Sequence, residues 1–149
     1  VTYIPETIKI SDLDTLGYSV IVTKQPETIE QLKDIIDLAA TGHHVVLTMA
    51  EGTAYDCIAS LLGLAYEKPH LRSRLLDFYN GSCCTDIIYT KKGKMNIYET
   101  VVASESLRSQ IQIKESNGDL TKSTFNSIIE KNTDCQLFSS QIHLALGGV

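Results

Sequence analysis

The chain has 149 residues, which is long enough for one domain with a hydrophobic core. It carries 13 lysines and arginines against 18 aspartates and glutamates, for a formal net charge of -5. Because nucleic-acid phosphates are bound by clustered positive charge, this balance argues against DNA or RNA as a ligand.

Cysteine usage and hydropathy indicate the compartment. The four cysteines form no C-x-x-C pair, so neither a zinc site nor a disulfide framework is predicted, and a reduced cytosolic protein fits best. They are Cys57, Cys83, Cys84 and Cys135. The longest apolar stretch, residues 58–66, is far shorter than the roughly 20 residues that span a bilayer. The first residue is Val1 rather than methionine, and we expect the chain to have been cut from something longer.

The first half of the chain alternates strands and helices. Residues 1–4 and 18–23 are β-rich, and the second run is apolar enough for a strand that is covered on both faces. Pro26 stands where the first residue of a helix belongs. Apolar residues then recur at helical spacing, and Gly42 ends the helix. These apolar residues are Ile29, Leu32, Ile35, Ile36 and Ala39.

Residues 43–49 follow as a short buried strand. Strand, helix and strand together predict a parallel βαβ crossover, with residues 43–49 as an inner strand of a central parallel sheet flanked by helices. After Gly52 a helix runs to about Ala65, and Pro69 opens another that Asn80 and Gly81 end in the left-handed way.

The second half begins with two β-rich runs, residues 83–90 and 95–102. Residues 91–94 (K-K-G-K) join them into a hairpin, and the lysines are most simply a solvated turn. Ser104 caps the next helix, residues 117–119 (N-G-D) break it, and a further helix follows from Thr121. The tail from Gln136 is predicted to be helical up to Gly147 and Gly148. We therefore predict one domain over residues 1–149, with an α/β core at 1–103 and a helical C-terminal part at 104–149.

No catalytic or nucleotide-binding residue is assigned from local motifs, and no cofactor is expected. A phosphate-binding loop is written G-x-x-x-x-G-K-[ST]. The only Gly-Lys pair is Gly93-Lys94, which lies in the hairpin and is followed by Met95. No metal site is predicted, because His43 and His44 alternate faces of a strand and cannot point at one ion without distortion.

Two acidic residues follow the strand at residues 43–49. In open α/β sheets ligands sit beyond the strand ends, so Glu51 and Asp56 are candidates for a site. The favoured interpretation is that they are helix-start carboxylates stabilised by the helix dipole. A cysteine–histidine nucleophile is disfavoured because no cysteine stands at a helix N-terminus with a basic neighbour.

Several short segments occur in a recognisable order. They are E-T-I at 27–29, A-T-G-H at 40–43, T-M at 48–49, L-R-S-R-L-L at 71–76, the lysine-glycine hairpin at 89–94, Glu99, and S-E-S-L-R-S-Q-I at 104–111. This order resembles the second half of the ATPase domain in the motor proteins of type IV pili and type II secretion, the PilT/GspE type. The resemblance covers about two thirds of the chain and implies an α/β fold with a partial, parallel-sheet RecA-like core.

The resemblance also implies particular residues. Thr41, Gly42, His43 and Thr48 fall on family-motif positions. Candidate interface residues are the arginines of the matching helices. These are Arg72, Arg74 and Arg108.

Catalytic groups of that family are missing. The place of the acidic Walker B segment reads I-V-T-K-Q at residues 21–25, and Ala50 stands where a histidine closes the family's T-L-H box. The acidic box upstream would correspond to residues 3–5 (Y-I-P), which have no acid. These residues therefore cannot supply the charged groups that hold magnesium and stabilise the transition state of phosphoryl transfer.

Two interpretations remain. The first is a non-catalytic fragment or degenerate relative of a type IV pilus or type II secretion assembly ATPase. It would be cytoplasmic or peripheral at the inner membrane, would bind motor subunits or an inner-membrane platform protein, and would belong to a homo-oligomer in its full-length parent. The second is a small cytosolic α/β interaction module, or an enzyme unrelated to secretion motors that uses Glu51, Asp56 or a cysteine.

Overall fold

The computed structural model describes residues 8–17 and 19–147, and it divides the chain into two compact units. Unit one contains the residues up to Ala50 together with Leu61–Phe78. Unit two contains Glu51–Ser60 and the residues from Tyr79 onward. The β-rich residues 79–103 thus group with the helical C-terminal part, not with residues 1–50. That the whole chain forms one domain stays a prediction.

Unit one is built on a parallel βαβ crossover, as the sequence predicts. A 3-10 helix, Ile10–Leu16, precedes strand β1 (Val20–Lys24), helix α1 (Ile29–Ala40) and strand β2 (His44–Thr48). The strands pair in parallel with Val20 opposite His44. The C-terminal end of helix α2 (Ala54–Leu64) and helix α3 (Pro69–Asp77) complete the unit.

Helix α1 supplies much of the core of unit one. Leu32 and Ile36 pack with Leu61, Ala65 and Leu71. On another side of the helix, Leu38 packs with Leu13 and Ile21. The predicted stripe is therefore largely confirmed, although Leu38 is buried more deeply than Ala39.

The predicted start of α1 at Pro26 is wrong. The helix begins at Ile29, because Thr28 caps it by accepting a hydrogen bond on Oγ1 from the Gln31 N–H at 3.2 Å. The Gln31 side chain in turn accepts from the Glu27 N–H at 2.8 Å. These two bonds satisfy N–H groups at the helix entrance, so the helical turn starts after Thr28.

The two strands of unit one are less covered than predicted. One face lies against α1 and the 3-10 helix, while Val20, Val22 and Val46 on the other face are 56%, 65% and 48% exposed. Within the described residues β2 pairs with β1 alone, and its alternate residues are exposed, so the predicted burial of this strand is wrong, whereas its inner position in a sheet stays a prediction. The apolar content is typical of strands that are covered on both faces, but the described residues cover only one face. The strand predicted at residues 1–4 lies outside the described residues.

Unit two is built on a long antiparallel hairpin. Strands β3 (Gly81–Thr90) and β4 (Gly93–Val102) pair along their whole length, joined by Lys91 and Lys92. Three helices follow. They are α4 (Glu105–Ser116), α5 (Lys122–Glu130) and α6 (Phe138–Gly147). Ser104 caps α4 as predicted, and Thr121 caps α5 through a capping box.

The predicted end of α3 at Asn80 and Gly81 is wrong. The helix stops at Asp77, and its cap residue Phe78 has an ordinary φ of -98°. Gly81, with a φ of 150°, is instead the first residue of β3. Here the glycine permits a close approach to β4, since a Cβ atom at this position would overlap the Val101 carbonyl oxygen.

The core of unit two joins the hairpin to the helices. Fully buried side chains come from α2, β4, α4 and α5. They are Ile58, Ile97, Leu107, Ile111, Phe125 and Ile129. The outer edge of β4 is covered as well, because Thr100 and Gln136 exchange two backbone hydrogen bonds of 2.8 Å. In the described part of the chain no helix has the length and hydropathy needed to cross a bilayer.

Candidate functional site

The first turn of α2 is the part of unit two in which the sequence places candidate acids. Thr53 precedes the helix, and its hydroxyl donates to Asp56 Oδ2 at 2.6 Å. The Asp56 N–H donates back to Thr53 Oγ1 at 3.2 Å. The Lys122 ammonium group lies 3.6 Å from the same carboxylate oxygen. Asp56 therefore forms reciprocal hydrogen bonds with Thr53 at the start of its own helix, which is the geometry of a helix-start carboxylate.

A second carboxylate reaches this helix from β4. Glu99 is only 5% exposed, and its Oε1 accepts a 2.7 Å hydrogen bond from the Ala54 N–H. Its Oε2 accepts a longer bond of 3.4 Å from the Phe138 N–H at the start of α6. The free N–H groups of a helix N-terminus commonly bind phosphate or another anion. At α2 the protein's own carboxylates take that place, and a phosphate group there would be repelled by both.

Two thiols lie beside this turn. Cys57 on α2 and Cys84 on β3 approach to 4.0 Å between their sulfur atoms. Burial raises the pKa of the Cys57 thiol, and the Glu51 and Asp56 carboxylates add to that effect, while the Cys84 side chain opposes it. Burial is also the main cause that raises the pKa of Cys84 to about 12. Because a nucleophilic cysteine needs a lowered pKa, this environment speaks against cysteine catalysis.

The four family-motif residues of unit one lie at the two ends of β2. Thr41 and Gly42 form the end of α1: the Thr41 hydroxyl donates to the Leu38 carbonyl oxygen at 2.9 Å, and Gly42 has a φ of 100°. His43 donates its N–H to the same Leu38 oxygen at 3.2 Å. Thr48 is the last residue of β2, about 13 Å along the strand from its first residue. The structure therefore does not bring the four residues together.

The carboxyl ends of β1 and β2 are tied by backbone and hydroxyl groups. The Gln25 N–H donates to the Thr48 carbonyl oxygen at 3.0 Å, and the Thr48 hydroxyl donates to the Thr23 carbonyl oxygen at 3.3 Å. No residue from Thr23 to Gln25 or from Thr48 to Ala50 is acidic. Across the described residues, no three histidine, cysteine, aspartate or glutamate side chains are placed to hold one metal ion.

Each of the three candidate interface arginines has an intramolecular contact. In unit one, Arg74 forms a 2.9 Å ion pair with Asp37, and the Arg72 guanidinium lies 5.9 Å from the centre of the Tyr66 ring. In unit two, Arg108 donates to Asn80 Oδ1 at 3.2 Å. These contacts orient the side chains, and a role in binding a partner stays a prediction.

Two pairings were missed by reasoning from the sequence. Glu99 and Ala54 are 45 residues apart, and Cys57 and Cys84 are 27 residues apart, so no local spacing relates either pair. One signal was available: Glu99 occupies the core-facing position between Ile97 and Val101 in the period-two alternation of β4. A carboxylate at such a position requires an internal donor.

No protein-family model matches the sequence, and no curated protein matches it at a significant level. Solved structures do share the fold. The ATPase DotB of Legionella pneumophila is 14% identical over 93% of this chain and 38% of its own, with a TM-score of 0.74. DotB of Yersinia pseudotuberculosis is 12% identical over 81% of this chain and 32% of its own, with a TM-score of 0.63.

The pilus retraction motor PilT, solved with bound ADP, is a third similar structure. It is 19% identical over 73% of this chain and 34% of its own, with a TM-score of 0.59. This chain thus spans about a third of the length of these ATPases. The predicted resemblance and fold class are confirmed at the level of the fold: this is an α/β chain with a short parallel sheet, an antiparallel hairpin and C-terminal helices, and it shares its fold with part of the ATPase DotB and of the pilus retraction motor PilT.

Proposed function

We propose that this chain is a non-catalytic fragment or degenerate relative of a type IV pilus or type II secretion assembly ATPase. It acts in the cytoplasm by binding motor subunits or an inner-membrane platform protein. The observation that carries this proposal is a fold shared with motor ATPases in which the last strand residues and their immediate successors, residues 23–25 and 48–50, include no acid. This chain covers only 34–38% of the related solved chains, so activities of a longer parent, including homo-oligomer formation, belong to the same proposal.

The strand ends support the absence of nucleotide hydrolysis. Phosphoryl transfer depends on positioned cations and on acids that hold magnesium and water. Here β1 ends in Thr23 and Lys24, and the only Gly-Lys pair of the sequence, Gly93-Lys94, begins β4 in the hairpin. These residues could not supply the electrostatic stabilisation that the reaction needs.

The start of α2 supports the same conclusion. A phosphate group approaching the Ala54 N–H would have to displace the Glu99 carboxylate, which is buried and already hydrogen-bonded. It would also meet the Asp56 carboxylate one turn away. Two fixed negative charges make this helix N-terminus unfavourable for a triphosphate.

An exposed apolar face supports a role in binding protein. Val20, Val22 and Val46 lie on one face of the β1–β2 sheet and are roughly half exposed or more. Contiguous exposed apolar residues of this kind are typical of surfaces that pack against another polypeptide. Catalytic side chains are separable from such packing surfaces, so a chain without them still binds its neighbours.

Calorimetry with magnesium-ATP tests the catalytic part of the proposal. We expect no heat of binding from this chain up to millimolar nucleotide, whereas a PilT-type motor titrated in parallel should bind. Micromolar binding of ATP to this chain would contradict the proposal.

Co-elution with the motor ATPase encoded in the same genome tests the interaction. We expect a complex that Val22→Asp or Val46→Asp abolishes, because a carboxylate would then be buried at the interface. Ile113→Asp is the matched control, since Ile113 is 58% exposed on α4 of unit two. Circular dichroism verifies that each variant is folded. If the chain co-elutes with neither the motor nor its platform protein, the proposed interaction is refuted.

A further inference from the structure

We infer that Cys57 and Cys84 are a site of oxidative modification, at which a hydroperoxide converts the two thiols into an intramolecular disulfide. The two sulfur atoms are 4.0 Å apart and in direct contact. Both residues belong to unit two, with Cys57 on α2 and Cys84 on β3. A disulfide has a sulfur–sulfur distance of about 2.05 Å, so bond formation needs the sulfur atoms to approach by about 2 Å.

The structure also selects which cysteines react. Cys83 precedes Cys84 in β3, so its side chain points to the opposite face of the hairpin, where it is exposed. Cys135 is occupied elsewhere, since its sulfur accepts from the Val102 N–H at 3.4 Å and donates to the Val102 carbonyl oxygen at 3.6 Å. Neither thiol is placed to compete for Cys57.

The chemistry proceeds in two balanced steps. The Cys57 sulfur, which is the more exposed of the pair, attacks one oxygen of the hydroperoxide; this breaks the O–O bond and gives a sulfenic acid and an alcohol. The Cys84 sulfur then attacks the Cys57 sulfur, which forms the S–S bond and releases the sulfenic oxygen as water. The two sulfurs together lose two electrons, which reduce the O–O bond of the hydroperoxide.

The rate should depend strongly on pH. Burial raises the pKa of both thiols, so only a small fraction of either is thiolate at neutral pH. Because the thiolate is the attacking species, the rate of the first step should rise steadily as the pH increases from 7 to 9. Both side chains therefore remain largely as thiols at neutral pH, and the bond forms faster when the pH is raised and the hydroperoxide is in excess.

Peptide mapping by mass spectrometry tests the inference on the full chain treated with excess tert-butyl hydroperoxide at pH 9. We expect a peptide cross-linked through Cys57 and Cys84, and a melting temperature at least about 5 °C above that of the reduced chain, because the bond closes a long loop. The Cys83→Ser, Cys135→Ser double variant is the matched control and should form the same bond.

Single variants separate this site from non-specific oxidation. Cys84→Ser should stop at a sulfenic acid that dimedone traps on Cys57, and Cys57→Ser should give no intramolecular bond. A disulfide through Cys83, an intermolecular dimer as the main product, or free thiols on Cys57 and Cys84 after treatment would each overturn the inference.

Discussion

The buried carboxylate of Glu99 accepts a 2.7 Å hydrogen bond from the backbone N–H of Ala54, 45 residues earlier in the chain. The bond joins the middle of β4 to the first turn of α2. Helix N-termini expose N–H groups that need acceptors, and a charged acceptor also interacts favourably with the helix dipole. Glu99 thus supplies the acceptor for an N–H group at the start of α2, although the two residues lie far apart in sequence.

Replacement of Glu99 by alanine should lower the free energy of unfolding by about 2 kcal/mol, because the Ala54 N–H would be buried without an acceptor. Glu99→Gln should cost less, since the amide oxygen still accepts a hydrogen bond. Urea denaturation followed by circular dichroism measures both. Glu130→Gln, at an exposed position on α5, serves as the control and should change stability by no more than about 0.5 kcal/mol. An alanine variant as stable as the parent chain would show that Glu99 does not support α2.

Local signals predicted most elements, and long-range packing decided the rest. The cap at Ser104 was predicted because its hydroxyl and the Leu107 N–H lie only three residues apart, and the helix after Thr121 was predicted without its cap. The exposure of Val22 could not be recognised, because it depends on whether a distant segment of the chain packs on that face of β1. The pairings of Glu99 with Ala54 and of Cys57 with Cys84 likewise depend on how unit two folds.

Gly81→Ala should destabilise the chain by about 1–3 kcal/mol. Gly81 has a φ of 150°, which side-chain-bearing residues rarely adopt, and its new Cβ would overlap the Val101 carbonyl oxygen of β4. The control is Gly63→Ala in α2, where the same change meets no atom within 4 Å and should stabilise by about 0.5–1 kcal/mol. Thermal and urea unfolding of both variants tests this difference in sign. Equal effects would contradict the close approach of β3 to β4.

The ion pair between Arg74 and Asp37 should contribute only about 0.2–1 kcal/mol. Both side chains are more than a third exposed, at 37% and 46%, so water and salt weaken their attraction. A double-mutant cycle with Arg74→Gln and Asp37→Asn measures the coupling, which should shrink further in 1 M sodium chloride. A coupling above about 2 kcal/mol would mean that the pair is more shielded than the structure indicates.

Stability should fall as the pH rises from about 9 to about 12. Burial is the main cause that raises the pKa values of Cys57, Cys84 and Tyr79 in the folded chain, and Cys84 moves from 9.0 to about 12. A raised folded-state pKa stabilises the protein fully below the unfolded-state value, and this stabilisation is lost as the pH climbs towards the folded-state value. The slope is at most about 1.4 kcal/mol per pH unit for each group.

Urea unfolding at several pH values, with a reductant present, measures this slope. Cys84→Ala removes one of the three groups and should flatten the decline above pH 9, even if the substitution also lowers stability at pH 7. Cys83→Ala changes the exposed neighbour of Cys84 and should leave the slope as it was. If the two variants decline equally steeply, burial of Cys84 is not a source of the alkaline instability.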